Sequence, residues 1–390
     1  MNIALIDPSL FTLPYDRDLA RGLEGAGHHV TLYGRRPGPD DGGTGGISIA
    51  EHFYRLADKP AIRAAPSGIR LGAKGADHAW SMLRLLTRLR RNRPDVVHFQ
   101  WLALPLIDGR LLPAFRRIAP LILTVHDTNP FNGNPSARLQ SAGFLSALRR
   151  FDALIVHTRQ GLERLTARGL ASERIKVLPH GLIEDTSTPQ PVLDHTEAPE
   201  TTFLLFGKMK PYKGIDLLIK AFAQLSPELQ NRARLRIVGK PYFDLGPLHS
   251  LASQLGVADR VAIEPRFVAD DELPALFGPG TVAVFPYREI EASGVLTLAI
   301  RYGRPIVASR LGGFAETIVD GEHGHLVDPG DIVSLAAALR HMAQEPQFVA
   351  SCAAAVQHAA RSGPKWADVA RDTAALYATV RSWRENPYGG

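Results

Sequence analysis

The chain has 390 residues, enough for about two to three domains, and its 45% hydrophobic content allows a sizeable core in each half. The single cysteine, Cys352, excludes intramolecular disulfides and clusters of thiolate metal ligands, and it fits a reducing compartment. The first residues reach an acid at Asp7 without a basic segment, and no run of about 18 apolar residues follows, so the sequence predicts neither a signal peptide nor a membrane-spanning helix.

The net charge of +6 is unevenly distributed along the chain. Residues 1–180 carry 25 Lys and Arg against 15 Asp and Glu, a net +10, so the remainder carries a net −4. Residues 79–93 are a predicted helix of the basic half, and Arg84, Arg88 and Arg91 share a face away from its apolar stripe. That face is either ordinary solvated surface or a contact for anionic lipid, to which each basic residue would contribute about 1 kcal/mol. The basic half has few interleaved aromatic residues and no nucleic-acid-binding motif, so nucleic acid is not expected as a partner.

Short apolar runs alternate with helical segments through the first half. The predicted strands are residues 3–6, 29–33, 95–99, 121–125, 153–157 and 175–178. This alternation is typical of a parallel sheet covered on both faces, in which ligands bind at the carboxyl ends of the strands. The loop after the first strand, DPSLFTLPYD, lacks the GxGxxG fingerprint, which counts against NAD. His126 and Asp127 follow the fourth predicted strand and are therefore site candidates, although a lone histidine often has a purely structural role.

The pattern restarts after a polar, proline-rich stretch. Residues 184–201 have no hydrophobic period and are predicted to be a linker or a long surface loop. The second set of predicted strands is residues 203–206, 234–238, 261–263, 282–285 and 306–308, and helices are predicted at 332–342 and 366–383. Two similar α/β halves predict two Rossmann-like domains with a site in the cleft between them.

Two features of the second half suit a phosphate group. Lys208 and Lys213 lie in one glycine-containing loop after a strand, which is either a solvated charged loop or a seat for a diphosphate. Ser293 and Gly294 open a predicted helix at 295–302, and a helix N-terminus offers unpaired N–H groups and a partial positive charge. Each feature is weak alone, but two such features at strand ends of one domain favour a diphosphate site.

Longer motifs are spread over almost the whole chain. They are GHHVTLYG, RPDVVHF and LTVHD in the first half, and FGKMKPYKGIDLLIKAF, LRIVGKP, FVADDELPALF, VFPY and GRPIVASRLGGFAETIVDGEHGHLVDPGD in the second. In these segments and in their order the sequence resembles glycosyltransferase family 4, whose members are retaining enzymes with two Rossmann-like domains, the architecture called GT-B.

The resemblance implies an α/β protein of the GT-B fold, with two Rossmann-like domains facing a central cleft. Residues 1–183 would form the N-terminal acceptor domain, 184–201 a linker, and 202–364 the C-terminal nucleotide-sugar domain. Residues 365–390 would form a C-terminal helix that returns toward the N-terminal domain.

The resemblance also implies a role for individual residues. Lys208 and Lys213 match the family's diphosphate-binding Arg and Lys, and His126 matches the histidine near the reacting carbon and the donor sugar's hydroxyls. The other implied donor-binding residues are Gly207 in the lysine loop, Phe267 and Val268 at the nucleobase, Ser293, Gly294, Val295 and Leu296 at the distal phosphate, and Glu316 of the GGxxE motif. The implied acceptor-binding residues are Phe11, Thr12 and Tyr15.

Two departures from the family pattern fall on this site. The family's paired acidic positions align with Ile290 and Leu298; Glu289 or Glu291 can replace the first, with Glu291 favoured as a catalytic residue. The second acid, which the family uses on the nucleotide ribose, is replaced by Leu298. The Gly-Gly pair of the family's first loop is replaced by residues 9–12.

The resemblance implies a hexosyltransferase-like enzyme of polysaccharide biosynthesis. It would move a sugar from a UDP- or GDP-linked nucleotide-sugar to a hydroxyl of a glycan, a polysaccharide precursor or a lipid-linked acceptor, with retained configuration and without a metal or another cofactor. The expected location is cytoplasmic, with peripheral contact to an anionic membrane surface through the N-terminal domain. Two alternatives remain open: a GT-B enzyme of another class, such as a nucleotide-sugar epimerase, and a catalytically weak relative that binds nucleotide-sugar.

Overall fold

The structure, a computed structural model, describes residues 1–38, 41, 46–129, 142–182 and 200–385. It divides into two compact units, unit 1 (Met1–Gly181 with Pro364–Gly390) and unit 2 (Leu182–Gly363). The predicted linker, residues 184–201, lies almost entirely outside the described residues. The first strand of unit 2 begins at Thr201, which is the last residue of the predicted linker.

Unit 1 contains a seven-stranded parallel sheet. Its strands are β1 (Asn2–Ile6), β2 (His29–Gly34), β3 (Ile49–Glu51), β4 (Val96–Phe99), β5 (Leu121–Val125), β6 (Ala153–Val156) and β7 (Ile175–Val177). The spatial order is β3-β2-β1-β4-β5-β6-β7, so the direction of winding reverses between β1 and β4. Leu154 and Val156 face one hydrophobic core while Ala153 and Ile155 face another, which explains why this strand reads as a continuous apolar run.

The helices of unit 1 cover both faces of this sheet. They are α1 (Leu13–Gly25), α2 (Pro60–Arg63), α3 (Ser67–Asn92), α4 (Pro105–Arg116), α5 (Phe144–Leu148) and α6 (Arg159–Ala167). The predicted start of α3 at residue 79 is wrong, because the helix begins at Ser67. Its first turns contain Gly68, Gly72 and Gly75, which disfavour helix, and they lack the buried apolar stripe that begins further along.

Unit 2 contains a six-stranded parallel sheet with the same kind of reversal. Its strands are β8 (Thr201–Phe206), β9 (Ala233–Val238), β10 (Val261–Glu264), β11 (Thr281–Phe285), β12 (Ile306–Ser309) and β13 (Gly324–Val327). The order is β10-β9-β8-β11-β12-β13, so the winding reverses between β8 and β11. The prediction of two Rossmann-like α/β domains is confirmed, although the short edge strands β3 and β13 are additions to it.

The remaining helices complete unit 2 and return to unit 1. Those of unit 2 are α7 (Ile215–Phe222), α8 (Pro227–Asn231), α9 (Gly246–Gln254), α10 (Leu273–Leu276), α11 (Gly294–Arg301), α12 (Gly312–Thr317), α13 (Ile332–Gln344) and α14 (Pro346–Ser362). The last helix, α15 (Trp366–Glu385), packs against α1 in unit 1, where a Cβ at Gly22 would lie 2.7 Å from the Ala370 Cβ. Tyr377 anchors this helix to the sheet through a 2.6 Å hydrogen bond between its hydroxyl and His98 Nδ1.

Within the described ranges, none of the helices combines the length and the apolar character needed to cross a bilayer.

Candidate active site

The loop between β8 and α7 places a buried lysine at the point where the winding of the unit 2 sheet reverses. In open α/β sheets this reversal point, at the carboxyl ends of the strands, is where ligands bind. Lys213 is only 4% exposed, and its Nζ donates a hydrogen bond to the Phe206 carbonyl oxygen at 3.2 Å. The same Nζ lies 5.1 Å from the centre of the buried Tyr287 ring. Lys208, in contrast, is exposed, so the two lysines that are predicted to bind the diphosphate occupy different environments.

Burial destabilises the charged form of Lys213. Desolvation, together with smaller contributions from the positive charges of Lys208 and Lys210, lowers the pKa of Lys213 to about 7. No carboxylate in the described part of the chain forms an ion pair with Lys213 Nζ. A cation in this state gains stability from any anion that enters beside it, so the site is electrostatically prepared for a negatively charged ligand.

Two glycines allow the lysine loop to pack against its neighbours. Gly207 has φ +101°, and a Cβ there would lie 3.2 Å from Lys213 Nζ and 3.0 Å from a methyl group of Val295. Gly214 has φ +66°, and a Cβ there would overlap the Pro286 carbonyl oxygen. Both positions therefore need glycine, and the loop after β8 meets the segment after β11 as the sheet topology requires.

The N-terminus of α11 lies beside this loop. Ser293 is the N-cap residue, Gly294 is the exposed first residue of the helix, and the Leu296 N–H bonds back to the Ser293 carbonyl at 3.1 Å. The N–H groups of a first helical turn have no partner within the helix and carry partial positive charge. The predicted residues Gly207, Lys213, Ser293 and Val295 thus converge, and the chemistry that they offer is binding of a phosphate group.

Glu291 is held against the start of α12. Its side chain is buried, and its carbonyl oxygen accepts a 2.7 Å hydrogen bond from the Gly313 N–H. Glu289 is only partly buried, and Glu316 is exposed on α12. Leu298, which stands where the family pattern has its second acid, packs against the hydrophobic core of unit 2.

The two residues predicted at the nucleobase differ in accessibility. Phe267 is exposed, whereas the Val268 side chain is buried in a hydrophobic core of unit 2. Only the backbone of Val268 is therefore available to a base at this position.

Unit 1 brings His126 into a cluster of aromatic rings at the carboxyl ends of two adjacent strands. Val125 of β5 and Val156 of β6 are register partners, so the next residues, His126 and His157, lie side by side. His157 Nε2 is 3.0 Å from His126 Nδ1, and His157 Nδ1 is 3.0 Å from the Leu178 carbonyl oxygen. The Tyr15 ring meets the His126 ring edge-on, with 4.8 Å between their centres.

This cluster is uncharged at neutral pH. Desolvation lowers the pKa of His126 well below its ordinary value, with smaller contributions from His157, His180 and His98. The pKa of His157 falls to about 3 for the same main reason. His126 Nε2 is buried and has no hydrogen-bond partner among the described residues. Asp127 caps the turn that follows by accepting the Asn129 N–H at 2.8 Å.

The predicted acceptor-binding residues lie on the first loop of unit 1 and on α1. Phe11 is 43% exposed, with its ring centre 4.6 Å from that of Trp101, whereas Tyr15 is buried in the histidine cluster. Thr12 donates its N–H to the buried Asp7 carboxylate at 2.9 Å and its hydroxyl to Asp16 at 3.1 Å. Burial raises the pKa of both acids, and the neighbouring Asp7 charge raises the pKa of Asp16 further. Of these predicted residues, Phe11 presents the largest accessible surface to an acceptor.

Several residues around these positions were missed by the sequence reasoning. They are Asp7, Asp16, His157, His180, Tyr287 and Trp366. One signal was available: His157 follows an apolar strand just as His126 does, and neighbouring parallel strands bring such residues together.

Comparison with known proteins adds a family assignment to this geometry. A model described as Glycosyltransferase Family 4 matches residues 15–185, and one described as Glycosyl transferases group 1 matches residues 200–345. The chain is 30% identical to a D-inositol 3-phosphate glycosyltransferase 1 of Catenulispora acidiphila over 313 residues, which cover 73% of this chain and 72% of that protein.

Two further similarities cover different shares of the chain. It is 29% identical over 238 residues to a GDP-mannose-dependent alpha-(1-6)-phosphatidylinositol monomannoside mannosyltransferase of Mycolicibacterium smegmatis, covering 57% of this chain and 62% of that protein. The chain thus spans about three fifths of the length of that relative. The crystal structure of Anabaena HepE in complex with UDP and glucose superposes with a TM-score of 0.75 at 18% identity, covering 97% of this chain and 100% of that one, which shows a shared fold.

Proposed function

The chain belongs to glycosyltransferase family 4 and has the GT-B fold, and from this premise we propose that it moves a sugar from a nucleoside diphosphate to a hydroxyl group of an acceptor, with retained configuration. The observation that carries the proposal is the buried Lys213, which lies beside the N-terminus of α11 with its pKa lowered to about 7. A desolvated cation next to a helix N-terminus suits a diphosphate better than a neutral ligand.

In the proposed reaction the sugar–phosphate bond breaks as the acceptor oxygen approaches from the same face. The bonding electrons leave with the diphosphate oxygen, which takes the proton of the acceptor hydroxyl. Negative charge therefore develops on the diphosphate, where Lys213, Lys208 and the α11 N-terminus can stabilise it. Removing one such group typically costs about 2.7–4 kcal/mol, or roughly 10²–10³ in rate. Because the protein itself supplies these positive charges, the proposal includes no metal or other cofactor.

His126 and Glu291 are proposed to act on the sugar. His126 offers to a hydroxyl group an Nε2 that has no partner among the described residues, and Glu291 is buried and fixed through its backbone to Gly313. The apolar Leu298 leaves the ribose hydroxyls to another partner or to water.

The donor is proposed to be UDP- or GDP-linked. The M. smegmatis relative is named for GDP-mannose, and the Anabaena structure holds UDP, so both bases belong in the test. Thermal denaturation is measured with UDP, GDP, ADP and their sugars, and a ligand at 100 times its Kd adds about 2.7 kcal/mol of stability. One base should stand out, and its sugars should then support transfer to glycan acceptors. A chain that none of these nucleotides stabilises would contradict the proposal.

The acceptor is proposed to be a polysaccharide precursor or a lipid-linked molecule reached at the inner face of a membrane. Helix α3 exposes Ile69, Trp80 and Leu83, three residues that share one face at helical spacing, and Trp80 is 57% exposed. Arg90 and Arg91 are exposed on the last turn of the same helix. An exposed tryptophan and exposed basic residues on one helix suit the interface of an anionic bilayer.

A further inference from the structure

Hydrogen bonds determine which ring nitrogen of His157 carries a proton. The Leu178 carbonyl oxygen can only accept, so His157 Nδ1, 3.0 Å away, is the donor and carries the hydrogen. A neutral imidazole has one N–H, and burial keeps the pKa of His157 at about 3. Its Nε2 is therefore a bare acceptor at neutral pH.

The tautomer of His157 in turn fixes the proton of His126. His157 Nε2 lies 3.0 Å from His126 Nδ1, and since the first of these is an acceptor, the second must carry the hydrogen. Burial also keeps His126 neutral by lowering its pKa, so its Nε2 has a lone pair and no hydrogen. This Nε2 is buried and has no hydrogen-bond partner in the described part of the chain.

Packing holds both rings in these orientations. The Tyr15 ring lies 4.8 Å from the His126 ring and 5.1 Å from the His157 ring, measured between centres, and Trp366 supports Tyr15 at 4.9 Å. His180 bonds through its own Nδ1 to the Gly181 carbonyl oxygen at 2.8 Å. The pair of hydrogen bonds through His157 is thus enclosed, and a buried acceptor without a partner is costly until a ligand supplies a donor.

We propose that His157 is a positioning residue: it holds His126 in the Nδ1–H tautomer, so that His126 Nε2 accepts a hydrogen bond from a hydroxyl group of the donor sugar. The identity of that hydroxyl rests on the proposed function, whereas the tautomer does not. In this state His126 cannot donate a proton to the departing diphosphate. Its contribution is to orient a hydroxyl, and His157 acts only through it.

Histidine tautomers are measured directly by long-range ¹H–¹⁵N NMR on protein labelled at histidine nitrogens. The His126 signals are assigned by their loss in His126→Asn. In the wild type we expect a protonated Nδ1 and a bare Nε2 on His126. His157→Gln keeps an acceptor, since its amide oxygen reaches the position of Nε2, and should preserve this tautomer. His157→Leu has no acceptor and should shift His126 toward the Nε2–H form that free imidazole favours.

Transfer activity gives the second readout, with the donor selected by the nucleotide panel. His157→Leu should lower kcat about tenfold or more, while His157→Gln should recover most of it. Thermal denaturation verifies that both variants fold. An Nε2–H signal from His126 in the wild type, or an unchanged tautomer in folded His157→Leu, would overturn the inference. If the wild type transfers no sugar at all, the proposed function fails, and the NMR result still decides whether His157 sets the tautomer.

Discussion

Replacing Lys213 by methionine should stabilise unit 2 while removing its response to a nucleoside diphosphate. Methionine keeps the apolar stem in the buried site and removes the charge. The folded protein holds the pKa of Lys213 at about 7, against 10.5 for an unburied lysine. Because the folded-state pKa is lowered, stability is lost as pH falls from about 10.5 toward 7, where the unfolded chain binds a proton that the folded one resists.

The size of the effect follows from this difference in pKa. Proton linkage gives a penalty of about 4 kcal/mol at pH 7 and about 2 kcal/mol at pH 9. The variant also loses the hydrogen bond from Nζ to the Phe206 carbonyl, worth about 1 kcal/mol. We therefore expect Lys213→Met to raise the free energy of unfolding of unit 2 by about 3 kcal/mol at pH 7 and by about 1 kcal/mol at pH 9.

The assay has to report on unit 2 alone. All four tryptophans, Trp80, Trp101, Trp366 and Trp383, lie in unit 1, so intrinsic fluorescence during urea denaturation serves as an internal control that should not change. Hydrogen exchange measured by mass spectrometry on peptides from β8 and β11 reports unit 2, at pH 7 and pH 9, with and without UDP or GDP.

The matched control for Lys213→Met is a second lysine on the following helix, α7. Lys220→Met removes a half-buried lysine of α7 whose Nζ lies 4.0 Å from Asp216, and it should change stability by less than about 1 kcal/mol. The control should keep the nucleotide response that Lys213→Met loses. A lower stability of unit 2 in Lys213→Met, or a gain that is the same at pH 7 and pH 9, would show that the buried charge is not strained as argued.

Two further predictions concern unit 1. Since burial lowers the pKa of His98 to about 3, the unfolded chain gains a proton there below pH 6.5 that the folded chain does not, so stability is lost as pH falls. His98→Asn should reduce by about 2 kcal/mol the difference in the free energy of unfolding between pH 7 and pH 5. The measurement is urea denaturation followed by tryptophan fluorescence, and an unchanged difference would refute the prediction. Through its α3 surface, the protein should float with anionic vesicles in low salt and should be released by high salt. Trp80→Ser and Arg91→Ser should weaken flotation, whereas the control Lys176→Gln, away from α3, should not. Flotation that ignores salt and these substitutions would remove the lipid contact from the proposal.

Much of the phosphate site could be predicted because its parts are local in sequence. Gly207 and Lys213 follow one strand, and Ser293 opens a helix after another, so a parallel α/β pattern places both features at one edge of the sheet. The start of α3 could not be predicted in the same way, because its first turns carry glycines and no apolar stripe.

The histidine pair shows the opposite situation. His126 was a candidate because it ends a strand, but nothing near it in sequence indicates that His157 fixes its proton. The contribution of Trp366 was also missed, because the implied return of the last helix does not show that Trp366 packs against Tyr15.

The sequence by itself determined the two parallel sheets and the strand ends at which ligands bind, because apolar periodicity and glycine-containing turns are properties of short segments. Only the tertiary structure decided that Lys213 is buried while Lys208 is exposed, and that His126 Nε2 is left bare. The physical reason is that desolvation and hydrogen-bond pairing depend on which distant residues pack around a group, and these effects set its charge and tautomer.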